Sequence, residues 1–373
     1  MNEQVRKGEN IYYRRDGRWE GRYAIGRKSD GRLKYGYVYA RSYQIVREKL
    51  YPLKQRAERM LQLYGKSLMS YDEWIVSWKK SIQTTVKAST FSDYCYKLRH
   101  YILPYVGESP LYQLTSEKIQ ELVNQLCDAN LSPNSIQIII CLMKKTLNDA
   151  KKLGLIAENP CDIVQLPKRA VKKIHALTVN EQQTLMEAVE TIGSDKGQAV
   201  TLALNTGMRI GEISALTWDK VDFNRGMIYV DQTCQRLTNE EEHQTVVHYD
   251  SVKSASSNRI IPMNQKVKRV LKRIKEKSTS NYVFSIKEKG CEPRLLTYYF
   301  HKIRKKAKLE NIHFHQLRHT FATRCLDAKV GITSVSALLG HASTKMTLDV
   351  YSDSMLEERI TAVYAIEGLI KQT

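Results

Sequence analysis

The amino-acid sequence predicts a multidomain, mainly α protein with small β elements: an N-terminal three-stranded sheet plus helix, a four-helix domain, and a mixed α/β domain in the C-terminal half. Three observations carry this reading. Asp16-Gly17 and Asp30-Gly31 sit between aromatic-rich runs in residues 11 to 40, four segments of helical period follow from residue 70, and a β-rich stretch near 227 to 262 interrupts the later helices. A chain of 373 residues also exceeds one ordinary core. The expected divisions are 1–66, 67–166, a basic linker at 167–175, and 176–373.

Asp-Gly is hairpin chemistry, because glycine supplies the positive φ that tight primed turns require, so residues 11 to 40 are expected to fold into three short strands. Residues 1 to 66 hold 17 Lys and Arg against 7 Asp and Glu, which concentrates about half the net charge there. A small sheet carrying Arg14, Arg18, Arg22, Arg27 and Lys34 has the form of a DNA-groove reader. A solvated basic surface would have the same composition.

The helical domain opens at Ser70, where Glu73 completes a capping box ahead of DEWIVSWKK. Further helices are expected near 89 to 103, near 116 to 128 with Ile119, Leu122, Val123 and Leu126 on one face, and near 133 to 153. Ser132-Pro133 starts the last of these and Gly154 ends it. Asn159-Pro160 and Pro167 then break the pattern, and Lys168, Arg169, Lys172 and Lys173 charge the linker in a way that suits a path along DNA. The C-terminal half begins at a second capping box, Thr178 to Glu181.

A net charge of +20 exceeds what solubility requires and points to a polyanionic partner, nucleic acid first and an anionic membrane second. No apolar run approaches the length of a spanning helix, and MNEQVRKGEN lacks the apolar segment of a signal peptide. The expected setting is therefore soluble and cytoplasmic. Seven cysteines without C-x-x-C spacing suit reduced thiols in packing roles.

Five blocks in residues 205 to 351 belong together: NTGMRIGEISALTW, DSVKSASSNRIIP, HFHQLRHTFAT, LLGHAS and MTLDVYSD. In order and spacing they resemble the catalytic signature of tyrosine recombinases, the integrase family of temperate phages and conjugative transposons. Carried over by position, the resemblance implies that Arg209 and Arg318 are the catalytic arginines, Lys253 the hairpin lysine, His315 the partner of Arg318 in H-x-x-R, His341 the second histidine, and Tyr351 the nucleophile. Glu212 matches the supporting acidic position. The resemblance also implies arm-type and core-type DNA sites, a homotetramer on DNA, an excisionase and a host DNA-bending protein as further partners, a Holliday-junction intermediate, and no cofactor.

The same residues make chemical sense without a name. A phosphodiester gains negative charge in its pentavalent transition state, so preorganised guanidinium forks lower the barrier by donating paired hydrogen bonds that lysine cannot copy. A phenol near its usual pKa of about 10 needs a proton acceptor, for which His315 is the candidate. A departing 5′ oxygen needs a proton, which Lys253 beside cationic arginines could give. His341 would donate a hydrogen bond to the phosphate, and Glu212 would hold an arginine in place.

Against this stand simpler roles. An arginine at a helix start is ordinarily a surface residue, and Tyr351 is one of 22 tyrosines. His315 and His319 are an i, i+4 pair, but the intervening Q-L-R lacks the acidic residue of zinc hydrolases and an arginine repels a cation, so no metal is expected. His319 reads as packing or a second phosphate contact. The run TCQRLTNEEEHQTVVHYD is long for the lysine hairpin, and Glu240, Glu241 and Glu242 at its tip would avoid phosphate. Two rival functions use the same features: a non-catalytic sequence-specific DNA-binding regulator, and a type IB topoisomerase or telomere resolvase. Last, Leu356, Ile360, Val363, Ile366 and Ile370 form a helical stripe just past Tyr351, suited to packing in cis or to exchange between protomers.

Overall fold

The computed structural model describes residues 9–27, 32–64, 69–169, 175–239, 244–251, 257–341, 343–345 and 348, with backbone alone at 25–27, 33–34, 60–64 and 239. The chain divides into two compact units, Met1–Val171 and Lys172–Thr373.

The first unit begins with the antiparallel sheet β1 (Ile11–Tyr13), β2 (Trp19–Arg27) and β3 (Leu33–Ala40), in the order β1-β2-β3. One face packs on helix α1 (Tyr43–Tyr64) through Ile11, Val46 and Leu50, a core too small for much independent stability. Strand alternation sends the other face outward, with Tyr12, Tyr37 and Tyr39 exposed.

The helical part follows as α2 (Tyr71–Ile82), α3 (Ala88–Lys97), α4 (Leu103–Val106), α5 (Ser116–Asp128) and α6 (Pro133–Lys152). A π-helical turn over Leu98–Ile102 joins α3 to α4, so these make one interrupted helix and the domain has four helical limbs as expected. The Ser70 N–H donates to Glu73 Oε2 at 3.1 Å, starting α2, and Thr115 caps α5 by accepting from the Lys118 N–H. Helix α2 is fixed on α6 by polar contacts inside the apolar core. Tyr71 shares a 2.6 Å hydroxyl contact with Thr146, Trp74 Nε1 donates to the Thr146 carbonyl at 3.1 Å, and Trp78 Nε1 donates to Asp149 at 2.9 Å. These bonds satisfy the polar tips of side chains whose rings fill the core.

In the second unit, Thr178 and Glu181 form a reciprocal capping box with bonds of 3.2 and 2.8 Å at the start of α7 (Val179–Ile192). Then come α8 (Ala199–Thr206), α9 (Ile210–Ala215), β4 (Val221–Asp222), β5 (Met227–Val230), β6 (Gln232–Asn239), β7 (Gln244–Ser251) and β8 (Arg259–Pro262). The unit continues through α10 (Gln265–Lys277), β9 (Ser285–Ile286), β10 (Lys289–Gly290), α11 (Pro293–Lys306), α12 (Phe314–Asp327) and α13 (Ile332–Leu339). Strands β4, β5 and β8 form one antiparallel sheet, while β6 and β7 pair as a separate hairpin from Gln232↔Ser251 to Asn239↔Gln244. Helix α8 is buried nearly all round, at Ala199, Val200, Leu202, Ala203 and Leu204 and also at Thr201 and Thr206, so it lies inside the core with Ile213, Leu271, Phe300 and Leu317. The seven cysteines are free thiols, four of them buried. Among the described residues no helix is long and apolar enough to cross a membrane.

Candidate active site

Helix α8 stops at Gly207, whose φ of +64° reverses the chain. A side chain there would be strained by that φ and would also meet Phe321 at 2.6 Å and Leu339 at 2.9 Å. Met208 then inserts into the core, 1 % exposed, and this anchors the next residue, Arg209, immediately before α9. Glu212, in the first turn of α9, accepts from the Arg209 backbone N–H at 2.8 Å and from Arg209 Nη1 at 2.8 Å. The carboxylate thus caps the helix and fixes the guanidinium together.

Glu212 has a second partner that the sequence reading did not single out. Arg259, at the start of β8, clasps both carboxylate oxygens, from Nη1 at 3.1 Å and Nη2 at 2.8 Å. Its Nη1 also donates to the Ser257 carbonyl and its Nε to the Leu338 carbonyl. Burial by itself would raise the Glu212 carboxyl, but the contact with Arg259, then the Arg209 N–H and charge, hold it below the usual carboxylate value. A signal for Arg259 existed: in the strand RIIP the inward positions are Arg259 and Ile261, and an arginine on an inward position must be paired. The partner's identity could not be read from it.

Helix α12 supplies His315, Arg318 and His319. Its N-terminus is fixed by the His313 N–H donating to Gln316 Oε1 at 2.7 Å. Arg318 is 3 % exposed and spends Nη1 on the Gly207 carbonyl at 2.8 Å and Nη2 on the Leu339 carbonyl at 2.6 Å. It therefore ties together the two left-handed turns at Gly207 and Gly340. The turn at Gly340 places His341, whose N–H donates to the Ser336 carbonyl.

Arg209, Glu212, Ser257, His315 and Arg318 line one cavity of about 380 Å³, with Thr233, Cys234 and Gln235 of β6 on its wall. Burial, then the charges of Arg318 and Arg209, lower His315 from its ordinary value. The same three causes, with Arg259 after them, push His341 down to about 4. His319 stacks edge-on against His315 with centroids 4.9 Å apart, and burial followed by His315 and Arg318 lowers it to about 4. All three imidazoles are neutral at neutral pH, so each can accept a proton or donate from one nitrogen. Among the described residues no cluster of three His, Cys, Asp or Glu is placed to hold a metal.

Of the sequence-predicted set, then, Arg209, Glu212, His315 and Arg318 converge on one cavity, and the charges of Arg209 and Arg318 act on His341. Lys253, Tyr351, the acidic tip Glu240, Glu241 and Glu242, and the stripe from Leu356 to Ile370 lie outside the described residues. So do Lys172 and Lys173, whereas Lys168 and Arg169 are exposed.

On the N-terminal sheet, Arg14, Arg18 and Arg22 lie on the outward face. Glu20 is buried there between Arg14 and Arg22, with both contacts at 2.5 Å. The hydrogen bond from Arg22, supported by Arg14, holds its carboxyl below the ordinary value against burial. Arg22 lies over Tyr12 at 4.9 Å, and Arg14 and Arg18 lie over Tyr39 at 5.4 and 5.7 Å. The arginines are held in a fixed aromatic lattice. Arg27 and Lys34 belong to paired strand ends, in register with Leu33 and Gly26 respectively, and only their backbone is described.

Residues 175–358 match the phage integrase family, and residues 70–127 match the phage integrase N-terminal SAM-like domain. A XerC-like tyrosine recombinase from Caldanaerobacter subterraneus subsp. tengcongensis is 25% identical over 319 residues, covering 77% of this chain and 80% of that protein. The Tn1549 transposon integrase, solved in complex with circular intermediate DNA, shares the fold with a TM-score of 0.68 at 21% identity over 80% of this chain and 100% of that one. The lambda integrase, solved as a tetramer bound to a Holliday junction, gives a TM-score of 0.58 at 18% identity over 91% of this chain and 94% of that one. With two family domains matched in the expected order and a shared fold across both units, the chain belongs to the phage integrase family, the tyrosine recombinases.

Proposed function

We propose that this protein is the integrase of a mobile element, recombining two DNA duplexes through 3′-phosphotyrosine linkages and a Holliday junction for integration and excision. The observation that carries the proposal is the convergence of Arg209, Arg318 and a neutral His315 on one cavity. Two fixed cations and a neutral base on one cavity suit a phosphodiester whose charge rises during attack.

Tyr351 Oη attacks the scissile phosphorus, and its proton passes to His315. The bond to the 5′ oxygen breaks, and that oxygen leaves with a proton from Lys253. Arg209, Arg318 and His341 bind the non-bridging oxygens. The ester keeps the bond energy, so the 5′ hydroxyl of a partner strand reverses the attack without ATP or a metal ion.

The helical domain and the catalytic unit would each bind part of the core site, with Lys168, Arg169, Lys172 and Lys173 along the DNA between them. The Tyr and Arg face carrying Arg14, Arg18 and Arg22, with Arg27 and Lys34 at its edge, would grip a distal arm-type site. Assembly as a homotetramer on two duplexes draws support from the lambda integrase complex, and an excisionase and a DNA-bending protein would set direction. A regulator without catalysis has no need of the arginine cavity, and a relaxing topoisomerase has none for a distal-site sheet.

The test is covalent trapping on nicked duplexes drawn from DNA flanking the gene. Wild type should form a DNA adduct whose peptide map ends on Tyr351, and EDTA should leave its yield unchanged. Tyr351→Phe should bind the same duplex and form none. Adducts in that variant, or a chelator block reversed by a divalent ion, would refute the mechanism.

A further inference from the structure

The carbonyls at the end of a helix have no partner within it and must find one elsewhere. At the end of α13 the four are accounted for in full. The His341 N–H bonds the Ser336 carbonyl and the Gly340 N–H the Ala337 carbonyl, each at 3.1 Å, which is the Schellman pairing. The remaining two go to arginines: Arg259 Nε takes Leu338 at 2.7 Å and Arg318 Nη2 takes Leu339 at 2.6 Å. Arg259 meanwhile clasps Glu212, which holds Arg209. One buried side chain thus joins β8, the first turn of α9 and the turn that carries His341.

We propose that Arg259 is a positioning residue, aligning Arg209 through Glu212 and His341 through the Leu338 carbonyl, so that both phosphate-binding groups are set by one guanidinium.

The inference rests on the recombinase reading above. Its physical content is a division of labour at Glu212. Arg259 occupies both oxygens along one edge, so Arg209 is held through Nη1 and, among the described residues, its Nε and Nη2 make no protein hydrogen bond. Those two groups form the fork a phosphate needs. Arg259 uses four of its own five N–H groups, a geometry that the three donors of a lysine on one nitrogen cannot reproduce.

Without Arg259, Glu212 would be a buried carboxylate facing Arg209 at its own helix start and His315 from α12. Its pKa would rise. Where it protonates, its grip on Arg209 weakens, so cleavage in such a variant would gain an ionisation, rising with pH as Glu212 recovers its charge.

The experiment measures single-turnover adduct formation against pH on a nicked duplex carrying the site at which the wild type forms adducts, with core-site affinity and thermal melting in parallel. Arg259→Met should bind within about threefold of wild type yet form adducts roughly 10- to 100-fold more slowly, with a second pH-dependent rise in addition to the one that His315, the proton acceptor, gives the wild type. Adding Glu212→Gln should remove that second rise. Arg259→Lys should fall between the two, and it carries the test if Arg259→Met does not fold. Adduct formation within about twofold of wild type in a folded Arg259→Met or Arg259→Lys overturns the proposal. So does a slower rate whose pH profile parallels the wild type, which would make Arg259 scaffold only. If the wild type itself forms no adduct, the recombinase reading fails first, and this inference with it.

Discussion

Arg259 and Arg318 donate to consecutive carbonyl oxygens, those of Leu338 and Leu339, at the end of α13. One arginine comes from a strand and the other from a helix, so the turn before His341 is held from two directions. Arg318 also reaches the Gly207 carbonyl, two residues before Arg209. The cationic wall of the cavity is therefore built partly from an arginine, Arg318, that satisfies backbone, and the cost of altering it combines structure with chemistry.

Lysine at either cavity arginine should separate these effects. Arg209 is more than one-third exposed at its side chain, so Arg209→Lys should leave melting nearly unchanged while lowering cleavage by roughly 2 to 4 kcal/mol of transition-state stabilisation. Arg318→Lys should lose cleavage comparably and also lose about 1 to 3 kcal/mol of stability, because two buried carbonyls lose their donor. Denaturant titration alongside single-turnover cleavage measures both. Wild-type cleavage in either variant would contradict the clamp.

Acid should weaken the second unit through its histidines. His319 and His341 lie near 4 in the fold against an ordinary 6.5, so between those values the unfolded chain binds protons that the fold does not. Stability is therefore retained above about pH 6.5 and lost progressively as pH falls toward 4. Thermal melts at pH 7.5 and pH 4.5 should show that loss, and His319→Asn should shrink it. An unchanged difference in the variant would remove His319 from the account.

The N-terminal sheet should contribute salt-dependent affinity and no chemistry. Deleting residues 1 to 66 should spare adduct formation on isolated core sites but flatten the salt dependence of binding to longer DNA. Arg14→Ala and Arg22→Ala should each reduce that slope by about 1, since each removes one fixed cation above the tyrosine face. A slope equal to wild type in the deletion would rule out a DNA role for this sheet.

Truncation after Ser354 tests the stripe from Leu356 to Ile370. A helix so close to Tyr351, docked on a neighbouring protomer, would couple cleavage to assembly. The truncated protein should then bind single sites normally and fail to form paired-site complexes. Normal strand exchange would exclude docking in trans, and loss of single-site binding would make the segment part of the protein's own core.

The sequence by itself determined what is local. Asp16-Gly17 gave the turn between the first two strands, while Asp30-Gly31 lies outside the described residues; capping residues at Ser70 and Thr178 gave helix starts, and the spacing of Arg209, Glu212, His315, Arg318 and His341 marked a family signature, because each is written in neighbouring residues. Only the tertiary structure decided that Arg259 shares Glu212 with Arg209 across a separation of 47 residues, and that Arg318 closes the turns at Gly207 and Gly340. It likewise showed Glu20 buried between Arg14 and Arg22. A buried charge must be paired, and the strand pattern signals that need at Arg259, whereas Glu20 sits on the outward face, where alternation predicts exposure. Which partner meets that need depends on where the fold brings distant strands and helices together, and no local pattern encodes that.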